Sequence, residues 1–130
     1  MRDPVQLPQA LAQAMRLLAD AARPAEACGL LVGQERHVLG LAPSRNLAEQ
    51  ADAFELDTVL HLRLQRRLRG SGRAVIGVWH SHPLSLAEPS ARDLAGAWDE
   101  SLVWLITGTD GTRAWQRGAG GFCELGIRAQ

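Results

Sequence analysis

Ala74-Val75-Ile76-Gly77-Val78-Trp79 is apolar at every position and runs without a break into His80-Ser81-His82-Pro83. A short run with no alternation between apolar and polar residues reads as a strand buried on both faces. Such a strand needs neighbours in a sheet and covering layers above and below it. Leu102-Val103-Trp104-Leu105-Ile106-Thr107 is a second segment of the same kind.

The covering layers are legible as amphipathic helices. From Pro8 to Ala22 the residues Leu11, Met15 and Leu18 recur at helical spacing between Gln9, Gln13, Arg16 and Asp20, and Pro24 stops the run. From residue 57 to 69, with Leu56 just ahead, Val59, Leu60, Leu64 and Leu68 keep one face apolar while Arg63, Arg66, Arg67 and Arg69 occupy others. Asp57 or Thr58 can cap the start of this helix and Gly70 its end. Its arginines read as a solvated outer face. A third, short helix is expected from Pro89 to Trp98, opened by proline.

The remaining segments read as strands and turns. Cys28 to Gly33 and His37 to Leu41 form a hairpin across Gln34-Glu35-Arg36, broken by Pro43-Ser44-Arg45-Asn46. Ala53 to Leu56 is expected as a short strand. After a turn at Thr109-Asp110-Gly111-Thr112, further strands are expected from Arg113 to Trp115 and from Phe122 to Ile127. Three helices and about six strands give a mixed α/β or α+β fold, and the whole chain, 1–130, reads as one domain.

At 130 residues such a chain buries about two-thirds of its extended surface, so no metal or disulfide is needed merely to hold a core. The formal net charge is zero, which removes the electrostatic case for a nucleic-acid or membrane-surface binder. No apolar run approaches the ~18 residues that span a bilayer, and the first residues lack a secretory pattern, so the cytoplasm is the expected compartment. Cys28 and Cys123 are expected as reduced thiols. All 14 basic residues are arginine, which reads as an effect of base composition.

The chemistry is concentrated between residues 80 and 93. Residues two apart on a strand share a face about 7 Å apart, so His80 and His82 can turn both imidazoles onto one ion while Ser81 points away. Ser90 and Asp93, three apart, share a face of the third helix, and the loop from Pro83 to Pro89 is long enough to fold that helix back. Two imidazoles and a carboxylate, with a fourth position left to water, make the ligand set of a catalytic zinc site. A nearby carboxylate must then move protons, and Glu26, just ahead of the first hairpin strand, is the candidate base. From this composition, His-x-His, seven residues, Ser, two residues, Asp arises by chance with a probability on the order of 10⁻⁴.

At these residues the sequence resembles the JAMM, or MPN+, family of zinc-dependent isopeptidases. The family signature stands here as Glu26-Ala27-Cys28-Gly29 and His80-Ser81-His82-Pro83 with Ser90 and Asp93. The resemblance implies zinc as cofactor, His80, His82 and Asp93 as its ligands, Glu26 as general base, and Ser90 as a hydroxyl donor to the oxyanion. It implies a single MPN/JAB-like domain of the cytidine deaminase-like type, a curved mixed sheet flanked by about three helices. It also implies hydrolysis of the amide bond after the C-terminal Gly-Gly of a ubiquitin-like protein. Only Ala97 to Glu100 lie between the third helix and the next strand, which leaves little room for a ubiquitin clamp. The chain is therefore more similar to compact bacterial members that act on sulfur-carrier partners. The carrier's tail is expected to add beside an exposed strand.

Other readings stay open at this point. His80, His82 and Glu88 would also make a two-His, one-carboxylate oxygenase set, but a cupin barrel has no place for the helices. A scaffold or binding module that has kept the fold is the non-catalytic alternative. His37 and His61 lack partners at ligand spacing. Cys28 is expected as a packing residue, and Ser81 as a loop hydroxyl or a support for a ligand. The tryptophans are mostly core, with Trp79 or Trp98 as candidate lining of a substrate groove.

Overall fold

The computed structural model of the protein describes residues 2–97 and 99–129. Its elements run β1 (Val5–Leu7), α1 (Gln9–Ala22), β2 (Cys28–Gln34), β3 (His37–Ser44), α2 (Thr58–Leu68), β4 (Ala74–Ser81), α3 (Ala91–Gly96), β5 (Val103–Gly108), β6 (Gly111–Gly118), β7 (Gly121–Leu125) and β8 (Ile127–Ala129). The strands form one mixed sheet in the order β7-β6-β5-β4-β2-β3-β1-β8. The two apolar runs of the sequence lie side by side as the parallel pair β4 and β5, with Val78 opposite Trp104 and His80 opposite Ile106. β2 flanks β4 antiparallel on the other side, with Cys28 opposite His80.

Because successive side chains point to opposite faces, the three central strands feed two cores. Leu31, Trp79 and Leu105 enter one core with Met15 and Ala19 of α1. Leu30, Val78 and Trp104 enter the other, against Leu60 and Leu64 of α2 and against Phe54. Leu30, Leu31, Leu105 and Ile106 are completely buried. Each contributes roughly 1.5–3 kcal/mol of transfer free energy. His80 follows Val78 by two, so it emerges on the face covered by α2 and α3.

Local signals act as the sequence indicates. Asp57 caps α2 by accepting the Val59 N–H at 3.0 Å. Gly70, at φ 77, turns the chain out of the helix. Pro43 is tolerated in β3 because the only register pair between β3 and β1 is at His37, so the Pro43 end is an edge.

Three expectations are corrected. Ala53 to Leu56 forms no strand: Asn46 Nδ2 donates to the Ala53 carbonyl at 2.9 Å, and Asn46 Oδ1 accepts the Glu55 N–H at 3.0 Å. That backbone is thus satisfied by a side chain instead of a ladder. Val5–Leu7, left out of the strands expected from the sequence, is a strand of its own, paired with β3 and β8. The last segment divides at Gly126 into β7 and β8, which sit at opposite edges of the sheet. Among the described residues no helix is long and apolar enough to cross a membrane.

Candidate metal centre

β4 ends at Ser81, and His82 is held just beyond it by its N–H, which donates to the Thr107 carbonyl at 2.9 Å. His80 and His82 therefore project from one strand tip. Their Nε2 atoms lie 3.1 Å apart, and each lies 3.2 Å from Asp93 Oδ2. All three side chains are buried.

The Ser-x-x-Asp spacing has a local cause that a helical-face argument misses. Ser90 is the N-cap of α3, and its Oγ accepts the Asp93 N–H at 3.0 Å. Asp93 Oδ2 in turn accepts the Ser90 N–H at 2.8 Å. This reciprocal capping box fixes the carboxylate at the helix start and aims the same oxygen at both imidazoles.

Electrostatics favour a cation at this meeting point. Burial opposes ionisation of Asp93, but hydrogen bonds with His80 and His82 and the Ser90 amide hold its carboxyl far below the usual range. Burial pushes His80 down in spite of Asp93, which keeps that imidazole neutral. Burial also opposes charge on His82, yet its bonds to Asp93 and the Leu86 carbonyl, with the charges of Asp93 and Glu26, outweigh this and raise its pKa. The groups that favour a proton there equally favour a metal ion in its place.

The donor set fits a divalent metal. Edges of 3.1–3.2 Å are close to the ~3.3 Å between donors of a tetrahedral zinc site with bonds near 2.05 Å. His82 Nδ1 lies 3.0 Å from the Leu86 carbonyl, which can only accept. Nδ1 therefore carries the hydrogen, and Nε2 offers its lone pair to the centre. His80 is held by packing instead: Phe54 stacks on it at 4.2 Å, Trp104 meets it edge-on at 5.6 Å, and its Nδ1 has no partner among the described residues.

Glu26 is buried beside this set, with a carboxylate oxygen within 4.8 Å of a ring nitrogen of each histidine. Burial raises its pKa to about 7. Its backbone is fixed from two sides. The Ala27 N–H donates to Ser81 Oγ at 2.8 Å and the Ser81 N–H to the Ala27 carbonyl at 3.0 Å. Asn46 Nδ2 donates to the Glu26 carbonyl at 2.9 Å. Ser81 thus supports the carboxylate's segment and not a histidine.

Other sequence candidates fall away from the centre. Cys28 is a packing residue: its Sγ is 3.8–3.9 Å from the carbonyls of Ser44 and Arg45, and burial pushes the thiol up to about 11. Glu88 is exposed and pairs with Arg113 at 3.3 Å, and the open sheet with its helices is no cupin barrel. His61 meets Gln65 on α2. Trp79 is fully buried on the opposite face, its indole N–H bonded to Thr107 Oγ1 at 2.9 Å, so it lines no groove. Trp98 lies outside the described residues. The strands that carry the site have neighbours on both sides, and the sheet edges are β7 and β8. The Pro43 end of β3 is open as well, and it lies one strand from His80 across β2. Asn46 and Phe54 escape the sequence reading because neither belongs to a periodic segment.

The model for prokaryotic homologs of the JAB domain matches residues 8–118. The chain belongs to this family. Within the JAB family it is 33% identical to a desampylase of Pyrococcus furiosus over 91 residues, 69% of this chain and 65% of that one. It is 37% identical to a desampylase of Haloferax volcanii over 91 residues, 68% of this chain and 66% of that one. It is 34% identical to a probable TtuB-protein conjugate cleaving protease of Thermus thermophilus over 93 residues, 70% of this chain and 61% of that one. The match thus spans just under two thirds of these relatives' length. The solution structure of a Desulfitobacterium hafniense protein superposes with a TM-score of 0.87 at 30% identity, covering 97% of this chain and 92% of that one. A mixed sheet with three helices is therefore the JAB fold as well as the one read from the sequence.

Proposed function

We propose that this JAB-family chain is a zinc metallopeptidase that hydrolyses the amide bond after the C-terminal Gly-Gly of a ubiquitin-like sulfur-carrier protein. The reading is carried by one observation: His80 Nε2, His82 Nε2 and Asp93 Oδ2 meet at 3.1–3.2 Å in a buried place. These three residues would hold the ion. A bound zinc lowers the pKa of a water toward 7 and polarises a substrate carbonyl.

Glu26 takes a proton from the attacking water and passes it to the leaving amine. A carboxyl raised to about 7 is suited to both transfers near neutral pH. Ser90 Oγ already accepts the Asp93 amide, so the hydroxyl hydrogen remains to donate to the oxyanion of the tetrahedral intermediate. The Thermus relative is named for cleaving TtuB-protein conjugates, which supports a protein conjugate as the substrate. Residues 97–102 alone separate α3 from β5, and this short link supports a small carrier over a substrate that needs a clamp.

Metal analysis paired with cleavage of a carrier bearing residues beyond Gly-Gly tests the proposal. Glu26→Ala is expected to keep zinc and lose turnover, whereas Asp93→Ala loses both. Cleavage by Glu26→Ala at the parent rate would remove the base. A parent protein that takes up no zinc would return the chain to the class of binding modules.

A further inference from the structure

His82 owes its orientation to the Leu86 carbonyl, and Leu86 is fastened on both sides to the turn between β5 and β6. The Thr109 N–H donates to the Ser85 carbonyl at 2.9 Å. The Ala87 N–H donates to Asp110 Oδ1 at 2.7 Å, and the Trp115 indole N–H to the Ala87 carbonyl at 2.8 Å. Gly108 lets the two segments approach so closely that a Cβ there would sit 2.4 Å from the Ala87 nitrogen.

Hairpin chemistry alone does not require this arrangement. The turn closes through Gly111, which takes φ 106, and no carboxylate is needed for that. Asp110 nevertheless reaches a backbone amide 23 residues away in sequence. Its second oxygen is steadied by Arg113 Nη1 at 3.3 Å, and Arg113 is itself held at 2.8 Å by both oxygens of Glu124. The same Nη1 lies 3.3 Å from Glu88 Oε1, so both Ala87 and Glu88 of the loop are tied to this turn.

We propose that Asp110 is a positioning residue for the metal centre: by accepting the Ala87 amide it fixes the Leu86 carbonyl, and through it the ring nitrogen that His82 presents to the ion. The inference rests on the metal reading above. Partners that orient a ligand histidine typically change metal affinity by about 10–100-fold when removed.

The test is zinc binding to the metal-free full chain, measured by competition with a chromophoric zinc chelator at neutral pH. Asp110→Ala is expected to bind zinc about 10–100-fold more weakly. Asp110→Ser, equally at home in a turn but too short to reach Ala87, is expected to weaken binding over the same range. Asp110→Asn keeps an acceptor oxygen for the Ala87 amide and stays close to the parent. Amide exchange at Ala87, followed by NMR in the metal-free proteins, is faster in Asp110→Ala than in the parent. Parent-like zinc affinity in both Asp110→Ala and Asp110→Ser overturns the proposal, and so does an Asp110→Asn protein as weak as Asp110→Ala. A parent that binds no zinc removes the metal reading itself, which separates that failure from failure of the role given to Asp110.

Discussion

Asp93 performs two tasks that one substitution separates. Its Oδ2 accepts the Ser90 N–H at 2.8 Å to close the cap of α3, and it meets both histidines at 3.2 Å. Asparagine has the same shape and keeps an oxygen for the Ser90 amide, but it brings no charge to a cation. Replacing a charge-assisted hydrogen bond by a neutral one costs about 1 kcal/mol, partly offset because a carboxylate no longer has to be buried. For a chain of this length that lowers the melting temperature of metal-free Asp93→Asn by roughly 3–5 °C or less. Zinc at about 100 times its dissociation constant adds about 2.7 kcal/mol to the parent, a rise of roughly 8–13 °C. The assay is thermal unfolding of chelator-stripped parent and variant, with and without zinc. A rise in the parent and none in Asp93→Asn is the expected pattern. An equal rise in both would refute the assignment of Asp93 as a ligand.

Other outcomes follow from single contacts. Asn46→Ala releases the Glu26 carbonyl and the Ala53–Glu55 loop that stacks Phe54 on His80, so turnover and zinc affinity both fall, read by kcat beside chelator competition. A thiol reagent at neutral pH titrates exposed Cys123 in the native protein and reaches Cys28 only after unfolding, because burial pushes the Cys28 thiol up to about 11. The hydrogen bond from Arg113 holds Glu124 below its ordinary value. Its contribution to stability is therefore complete above an unfolded pKa of about 4.3 and is lost as pH falls through the folded value. In denaturant titrations the small gap between parent and Glu124→Gln closes in acid, and a gap that widens there would contradict the assignment.

The parts of this molecule legible in its sequence are those with local causes. β4 and β5 announce themselves because doubly buried strands are dense in apolar residues, and His80 and His82 inherit their shared face from strand geometry. Ser90 and Asp93 keep their spacing because a capping box demands it. The support around them is not local. Phe54 reaches His80 on a segment whose backbone bonds to Asn46, Asp110 reaches Ala87 across two elements, and β1 is three residues held by non-local strand pairing. None of these leaves a periodic trace, since each depends on segments that meet only in the folded chain. Strand order, which decides where sheet edges lie, comes likewise from long-range pairing.

X-ray absorption at the zinc edge of the loaded protein tests the central claim most directly. The account predicts a shell of nitrogen and oxygen donors alone at about 2.0–2.1 Å, with the imidazole signature of two histidines. A sulfur donor at about 2.3 Å, which would bring Cys28 or Cys123 into the site, or a shell without imidazole would contradict it.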